Sequence, residues 1–112
     1  YFNATKLVKE SGLQYAAYGH FGNSHLHLNM LPANEEEFLL GKKLYGTICQ
    51  MAVDAGGTVS AEHGIGKIKH EYLMMMYGEE GIKKFAAVKK ALDPNGLMGR
   101  GTMFGSQWIM DN

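Results

Sequence analysis

Residues 13–31 read Leu13-Gln14-Tyr15-Ala16-Ala17-Tyr18-Gly19-His20-Phe21-Gly22-Asn23-Ser24-His25-Leu26-His27-Leu28-Asn29-Met30-Leu31. The part from Leu13 to Gly19 alternates loosely and is rich in Tyr and Ala, whereas His25 to Leu31 alternates cleanly between polar and apolar. Phe21-Gly22-Asn23-Ser24 between them favours a tight turn, so the segment predicts a β-hairpin. A strand repeats every two residues. That period puts His25, His27 and Asn29 on one face and Leu26, Leu28 and Met30 on the other. His20, at the end of the first strand, falls within cross-strand reach of the start of the second.

Outward from the hairpin the pattern is helical. Tyr1 to Glu10 reads as the later part of a helix stopped by Gly12, and from this start the chain is expected to be a piece of a longer polypeptide. Pro32 ends the second strand. Asn34 with Glu37 three residues on forms a capping-box-like helix start, and Glu35 and Glu36 suit the positive end of a helix dipole. Phe38, Leu44, Tyr45, Ile48, Met51, Ala52 and Ala55 recur at helical spacing, predicting a helix to about Ala55, where Gly56-Gly57 stops it. Thr58-Val59-Ser60 reads as a short extended stretch, followed by a glycine-hinged loop over Glu62-His63-Gly64-Ile65-Gly66. Helices are expected from about Lys67 to Met76 and from about Glu79 to Ala91. Asp93-Pro94-Asn95-Gly96 is a strong turn signal, and the glycine-rich tail from Leu97 reads as irregular.

Composition sets the bounds. A chain of 112 residues holds at most one domain with a modest core, and 46% hydrophobic with 20% charged residues is an ordinary globular balance, not a disordered one. The formal net charge is zero and Lys and Arg are scattered, which excludes the basic face a nucleic-acid binder needs. No apolar run is long enough to span a bilayer, and no charged n-region with an apolar h-region opens the chain. The single Cys49 can form no internal disulfide and reads as a small core residue. These features fit a cytoplasmic setting.

Four of the five histidines lie in two short segments, His20 to His27 and Ser60-Ala61-Glu62-His63-Gly64-Ile65-Gly66-Lys67. A strand face carrying two histidines and an asparagine is costly to bury unless those groups find partners. Two readings meet the cost: a polar patch bonded to carbonyls and side chains, or His20 and His27 aimed at a shared metal that an acidic residue completes. Glu62 is the natural completion, because two His and one Glu with an open position is a catalytic arrangement for Zn²⁺ and its neighbours. His63 would then be left as a base. The alternative is that Glu62 caps the following helix and His63 is solvated.

The remaining signals carry less. Gly64-Ile65-Gly66-Lys67 lacks the glycines of a phosphate loop or a dinucleotide fingerprint, which excludes nucleotide binding through it. Leu73-Met74-Met75-Met76-Tyr77 reads as core filler, and Lys83-Lys84 and Lys89-Lys90 as a solvated helix face. His70 has no partner in sequence and takes no role.

Three ordered motifs carry a resemblance. Gly19-His20-x-Gly22 with His27 and Asn29, then Gly56-Gly57-x-x-Ser60-x-Glu62-His63-Gly64-x-Gly66, then Leu92-Asp93-Pro94-Asn95-Gly96, together resemble the C-terminal domain of FAD-linked oxidases acting on D-2-hydroxy acids. That group includes D-lactate dehydrogenase, the flavin subunit of glycolate oxidase and D-2-hydroxyglutarate dehydrogenase. The resemblance runs from about Gly19 to Met103. It implies an α+β fold with a ferredoxin-like antiparallel sheet, of which residues 1–112 would form the C-terminal portion of the cap or substrate domain. It also implies FAD bound mainly by a separate domain of the same parent polypeptide.

The resemblance further implies that His20, His27 and Glu62 bind a divalent metal, usually zinc, that His63 is the catalytic base, and that Asn29 contacts a 2-hydroxy-acid substrate of the glycolate or D-lactate type. An electron-acceptor subunit and a position peripheral to the membrane are expected of the full enzyme. Two stretches depart from the common pattern. Many relatives carry Asp-Gly-Asn where this chain has Asn23-Ser24-His25, and His25 there would add a ligand or alter substrate preference. Met98-Gly99-Arg100-Gly101-Thr102 lacks the asparagine that approaches the flavin in relatives, so no flavin ligand is carried over. Two other functions stay open at this point: a metal-dependent hydrolase in which the His₂Glu site activates water, and a non-catalytic, metal-stabilised module that binds a partner.

Overall fold

The computed structural model describes residues 1–110, which divide into two compact units, Tyr1–Met51 and the chain from Ala52 onward. Helix α1 (Phe2–Ser11) opens the first unit and ends at Gly12, whose left-handed φ of 81° lets its N–H bond the Lys9 carbonyl. Strand β1 (Gln14–His20) and strand β2 (His25–Leu31) pair antiparallel as the predicted hairpin, joined by a 3-10 turn over Phe21–Asn23. The ladder ends where the sequence places His20, at the close of the first strand, paired with His25 at the start of the second.

Alternation now does the sorting. Tyr15, Leu28 and Met30 turn to the core formed by Val8, Leu13 and Leu44, while the histidines take the opposite face. Val8 is wholly buried, which contributes on the order of 1.5–3 kcal/mol by the usual worth of a buried aliphatic side chain.

Helix α2 (Glu35–Asp54) covers the core side of the hairpin. Its start is the capping box read from sequence: the Glu37 N–H donates to Asn34 Oδ1 at 2.9 Å, and the Glu37 carboxylate accepts from the Ala33 N–H at 2.7 Å. Buried Gly41 brings the helix against Leu13 and Met30, at 3.8 and 3.9 Å from where a Cβ would stand. Leu44 and Ile48 follow into the core, and Cys49 is buried as expected. Phe38 is 57% exposed despite its helical spacing, since the helix meets the hairpin one turn later, at Gly41.

In the second unit Thr58-Val59-Ser60 forms no strand. Among the described residues the sheet consists of β1 and β2 alone, so this stretch has no ladder to join. Helix α3 (His70–Leu92) is broken at Gly78, where φ is 66°, which matches the two helices expected on either side of that residue. Its start lies at His70, later than the expected Lys67. Gly66 is left-handed at φ 61° and its carbonyl accepts from the Met103 N–H at 2.7 Å, so it cannot receive the first helical bond. A short helix, α4 (Gln107–Met110), closes the described chain. No helix among the described residues is long and apolar enough to cross a membrane. The whole is a partial α+β domain.

The tail is irregular but tied. Asp93 is buried, and its carboxylate accepts from the Leu97 and Met98 N–H groups at 3.0 and 2.9 Å and from Lys89 Nζ. Lys89 also reaches the Met98 carbonyl at 2.6 Å, so it is an anchor and not part of a solvated face. Lys83 does sit on such a face, bonded to Glu80 at 2.9 Å. His70 gains a structural role that its sequence context does not announce, with Nε2 at 2.6 Å from the Gly101 carbonyl.

Two outcomes follow from this packing. At Gly19 a Cβ would stand 2.2 Å from the His25 carbonyl oxygen, a close approach only glycine allows. Gly19→Ala should therefore lower the denaturant midpoint by the equivalent of about 1–3 kcal/mol, and an unchanged midpoint would refute this account of the strand spacing. The Lys89 ammonium, then the two amides, hold the Asp93 carboxyl down at about 2, against an ordinary value of about 3.9. A carboxyl depressed in the folded state stabilises above its unfolded pKa and loses that contribution as pH falls through the folded one. Thermal stability should thus fall between about pH 4 and pH 2, and Asp93→Asn should flatten that part of the profile.

Candidate functional site

The polar face of the hairpin collects three imidazoles. His20 and His25 are direct cross-strand partners, and His27 follows His25 by two residues on the same face. Their ring centroids are 5.4 Å apart for His20 and His25, 5.8 Å for His20 and His27, and 4.5 Å for His25 and His27. One ring nitrogen from each lies within 4.8 Å of one from either neighbour. Tetrahedral zinc with Zn–N of about 2.0–2.1 Å needs donor atoms about 3.3 Å apart. Small side-chain rotations close that difference, so the donor set fits a borderline divalent metal such as zinc. The turn contributes: Ser24 adopts a left-handed φ of 51° and returns its N–H to the Phe21 carbonyl, which starts β2 at His25, directly beneath His20.

Tyr18 belongs to this face, and the reading of sequence alone missed it. It pairs with His27, stacks on that imidazole at 5.1 Å with 27° between the planes, and its hydroxyl accepts from Asn29 Nδ2 at 3.0 Å. The signal was present in the hairpin register, which sets Tyr18 opposite His27 once the turn length is known. Asn29 is exposed and keeps its amide oxygen and second N–H as groups that can meet a ligand.

Glu62 and His63 lie in the second unit, on the loop between α2 and α3. The His63 N–H bonds the Ser60 carbonyl at 2.9 Å, closing a turn over Ser60-Ala61-Glu62-His63. Both side chains are more than half exposed, and His63 Nε2 stands 3.9 Å from Glu62 Oε1, beyond hydrogen-bond distance but close enough for an ion pair when the imidazole is protonated. Gly64 and Gly66 take φ of 71° and 61°, the hinge expected from their composition. Helix α3 starts eight positions after Glu62, so this carboxylate caps no helix there. The structure thus brings His20, His27 and Asn29 together on one face of the hairpin and sets Glu62 beside His63 on one loop.

Comparison with known proteins adds the lineage of these segments. Residues 2–103 match the family described as FAD linked oxidases, C-terminal domain. The glycolate oxidase subunit GlcD of Bacillus subtilis is 32% identical over 108 residues, which cover 91% of this chain and 23% of that protein. The D-2-hydroxyglutarate dehydrogenase of Stutzerimonas stutzeri is 34% identical over 93 residues, 80% of this chain and 20% of the relative. The mitochondrial D-lactate dehydrogenase [cytochrome] of Kluyveromyces lactis is 32% identical over 103 residues, 91% of this chain and 18% of the relative. The chain spans about a fifth of the length of these relatives.

One outcome tests the loop. Ala61, which has a side chain, sits at φ 44°, a left-handed value that costs an L-residue roughly 1–2 kcal/mol. Ala61→Gly should raise the thermal midpoint by relieving about 1 kcal/mol of that strain, and a lowered midpoint would show that the turn is not strained.

Proposed function

The chain belongs to the family of FAD linked oxidases, C-terminal domain, and on that premise we propose that it is the substrate- and metal-binding part of an FAD-dependent oxidoreductase. The reaction proposed is oxidation of a D-2-hydroxy acid, of the glycolate or D-lactate type, to the 2-oxo acid. The observation that carries the proposal is the gathering of imidazoles with Asn29 on one hairpin face.

In this reading His20, His27 and Glu62 hold a divalent metal, zinc by the chemistry of its donors. When bound, that metal supplies Lewis acidity toward the hydroxyl and carboxylate of the substrate. Asn29 hydrogen-bonds the substrate from the same face, steadied by Tyr18. His63 takes the hydroxyl proton, a task suited to imidazole near neutral pH. FAD, held mainly by a domain of the parent polypeptide outside residues 1–112, supplies the acceptor for the Cα hydride. The oxidation needs both losses, and the residues described here serve the proton side of it. A subunit that removes electrons from the flavin is the further partner proposed, and the cytoplasm or its membrane surface the proposed place of action.

Metal analysis of the intact protein tests the ligand set. Wild type should hold one equivalent of divalent metal per chain, and His20→Ala, His27→Ala and Glu62→Ala should each lose it. His63→Ala should keep the metal while kcat falls by about 10²–10⁴, the usual worth of a general base. Equal retention in all four variants would overturn the ligand assignment. Turnover of a hydrolysable substrate by metal-loaded protein lacking flavin would replace the oxidation with water activation.

A further inference from the structure

We propose that His25 is a third hairpin ligand, so that the metal centre of this chain draws three imidazoles from one face of the hairpin. The inference rests on the metal reading above and goes beyond its ligand set. His20 and His27 supply two nitrogens. The residue nearest to both on that face is His25, closer to His27 by ring centroid (4.5 Å) than His20 is to either (5.4 and 5.8 Å).

The backbone explains why the three converge. Cβ atoms of directly opposed residues in an antiparallel pair stand about 4.5–5.5 Å apart, and same-face neighbours along a strand about 6.8 Å apart. His20 opposite His25, with His27 next along, therefore forms a compact triangle. An imidazole ring is long enough to bring a nitrogen from each corner to a common point above the sheet. The close approach of β1 to β2 at Gly19, next to the triangle, sets the separation of His20 from the two β2 histidines. The Tyr18 ring stacks on His27 on this same face.

The chemistry that follows is distinct from that of a two-histidine site. Three neutral nitrogens favour Zn²⁺, Co²⁺, Ni²⁺ and Cu²⁺ over Mg²⁺, Ca²⁺ or Mn²⁺, which prefer oxygen. A third nitrogen also raises affinity, so the metal should survive dialysis that strips a weaker site.

Cobalt(II) titration of the metal-free intact protein, followed by visible absorption, separates the possibilities. Wild type should show one intense d–d envelope that saturates at one equivalent. His25→Asn should weaken the apparent Kd at least ten- to hundredfold, the range that loss of even an outer hydrogen-bond partner costs, and should shift the envelope. His25→Cys restores a donor at the same position, and should recover affinity and add a near-ultraviolet thiolate charge-transfer band. Because Cys49 is also a free thiol and unfolded chains bind metals through Cys and His, the band counts only if it saturates at one equivalent in protein with wild-type circular dichroism. If His20→Ala abolishes cobalt binding while His25→Asn keeps Kd within twofold and the spectrum unchanged, with no new band in His25→Cys, His25 is no ligand and the two-histidine reading survives. If neither His20→Ala nor His25→Asn changes the titration, the metal reading fails and takes this inference with it.

Discussion

The pairing of β1 with β2 at one register, and at the spacing Gly19 permits, is the constraint on which the rest depends. A slip of one residue in β2 would send His25, His27 and Asn29 into the core and bring Leu28 and Met30 to the surface. The register is therefore held from both sides. Val8, Leu13 and Leu44 need Tyr15, Leu28 and Met30 on their face, and the polar groups need the other. The energetic argument and the chemical one select the same alignment. Core packing in the first unit thus determines where three ring nitrogens can meet, although no core residue touches them in any chemical role.

How much of this was legible in the sequence varies with the range of the interaction. The hairpin, the Asn34–Glu37 box and the break at Gly78 were all readable, because each rests on residues within a few positions of one another. The start of α3 was not, since its delay to His70 follows from a bond between Gly66 and Met103, residues far apart in the chain. The same holds for His70 against Gly101 and for Lys89 with Met98. Local pattern gives a lone histidine or a lysine pair no partner; only the folded tail does. Thr58-Val59-Ser60 failed for a related reason, as β-propensity yields a strand only where a neighbouring edge is available.

At the candidate site the faces were legible and the partners less so. Period two alone placed His27 with Asn29. The part played by Tyr18 needed the turn length, because one residue more or fewer between the strands would have set a different side chain opposite His27. Glu62 and His63 were legible as a chemical type, a carboxylate and an imidazole in a glycine-hinged loop, and the left-handed backbone at Ala61 adds what composition could not. Glycine would occupy that conformation at lower cost, and strained residues of this kind gather where side-chain placement matters.

The division between rigid and hinged parts bears on the proposed chemistry. A metal must be held in one geometry, and the hairpin would supply its donors from paired strands whose backbone cannot move without breaking the ladder. A base must approach a substrate that arrives and departs, and His63 sits on a loop followed by the left-handed Gly64 and Gly66, which have open space where a Cβ would stand. In the proposed chemistry, donors on the sheet and a proton acceptor on the loop would each meet its own requirement. The imidazoles also enter metal coordination neutral, whereas a base must change charge during turnover. A histidine buried in a ligand cluster would be a poor proton acceptor, because protonation would expel it from the metal. In the proposed chemistry it is position, a loop for His63 and the paired strands for His20 and His27, that would separate the base from the ligands on the same chemical type of side chain.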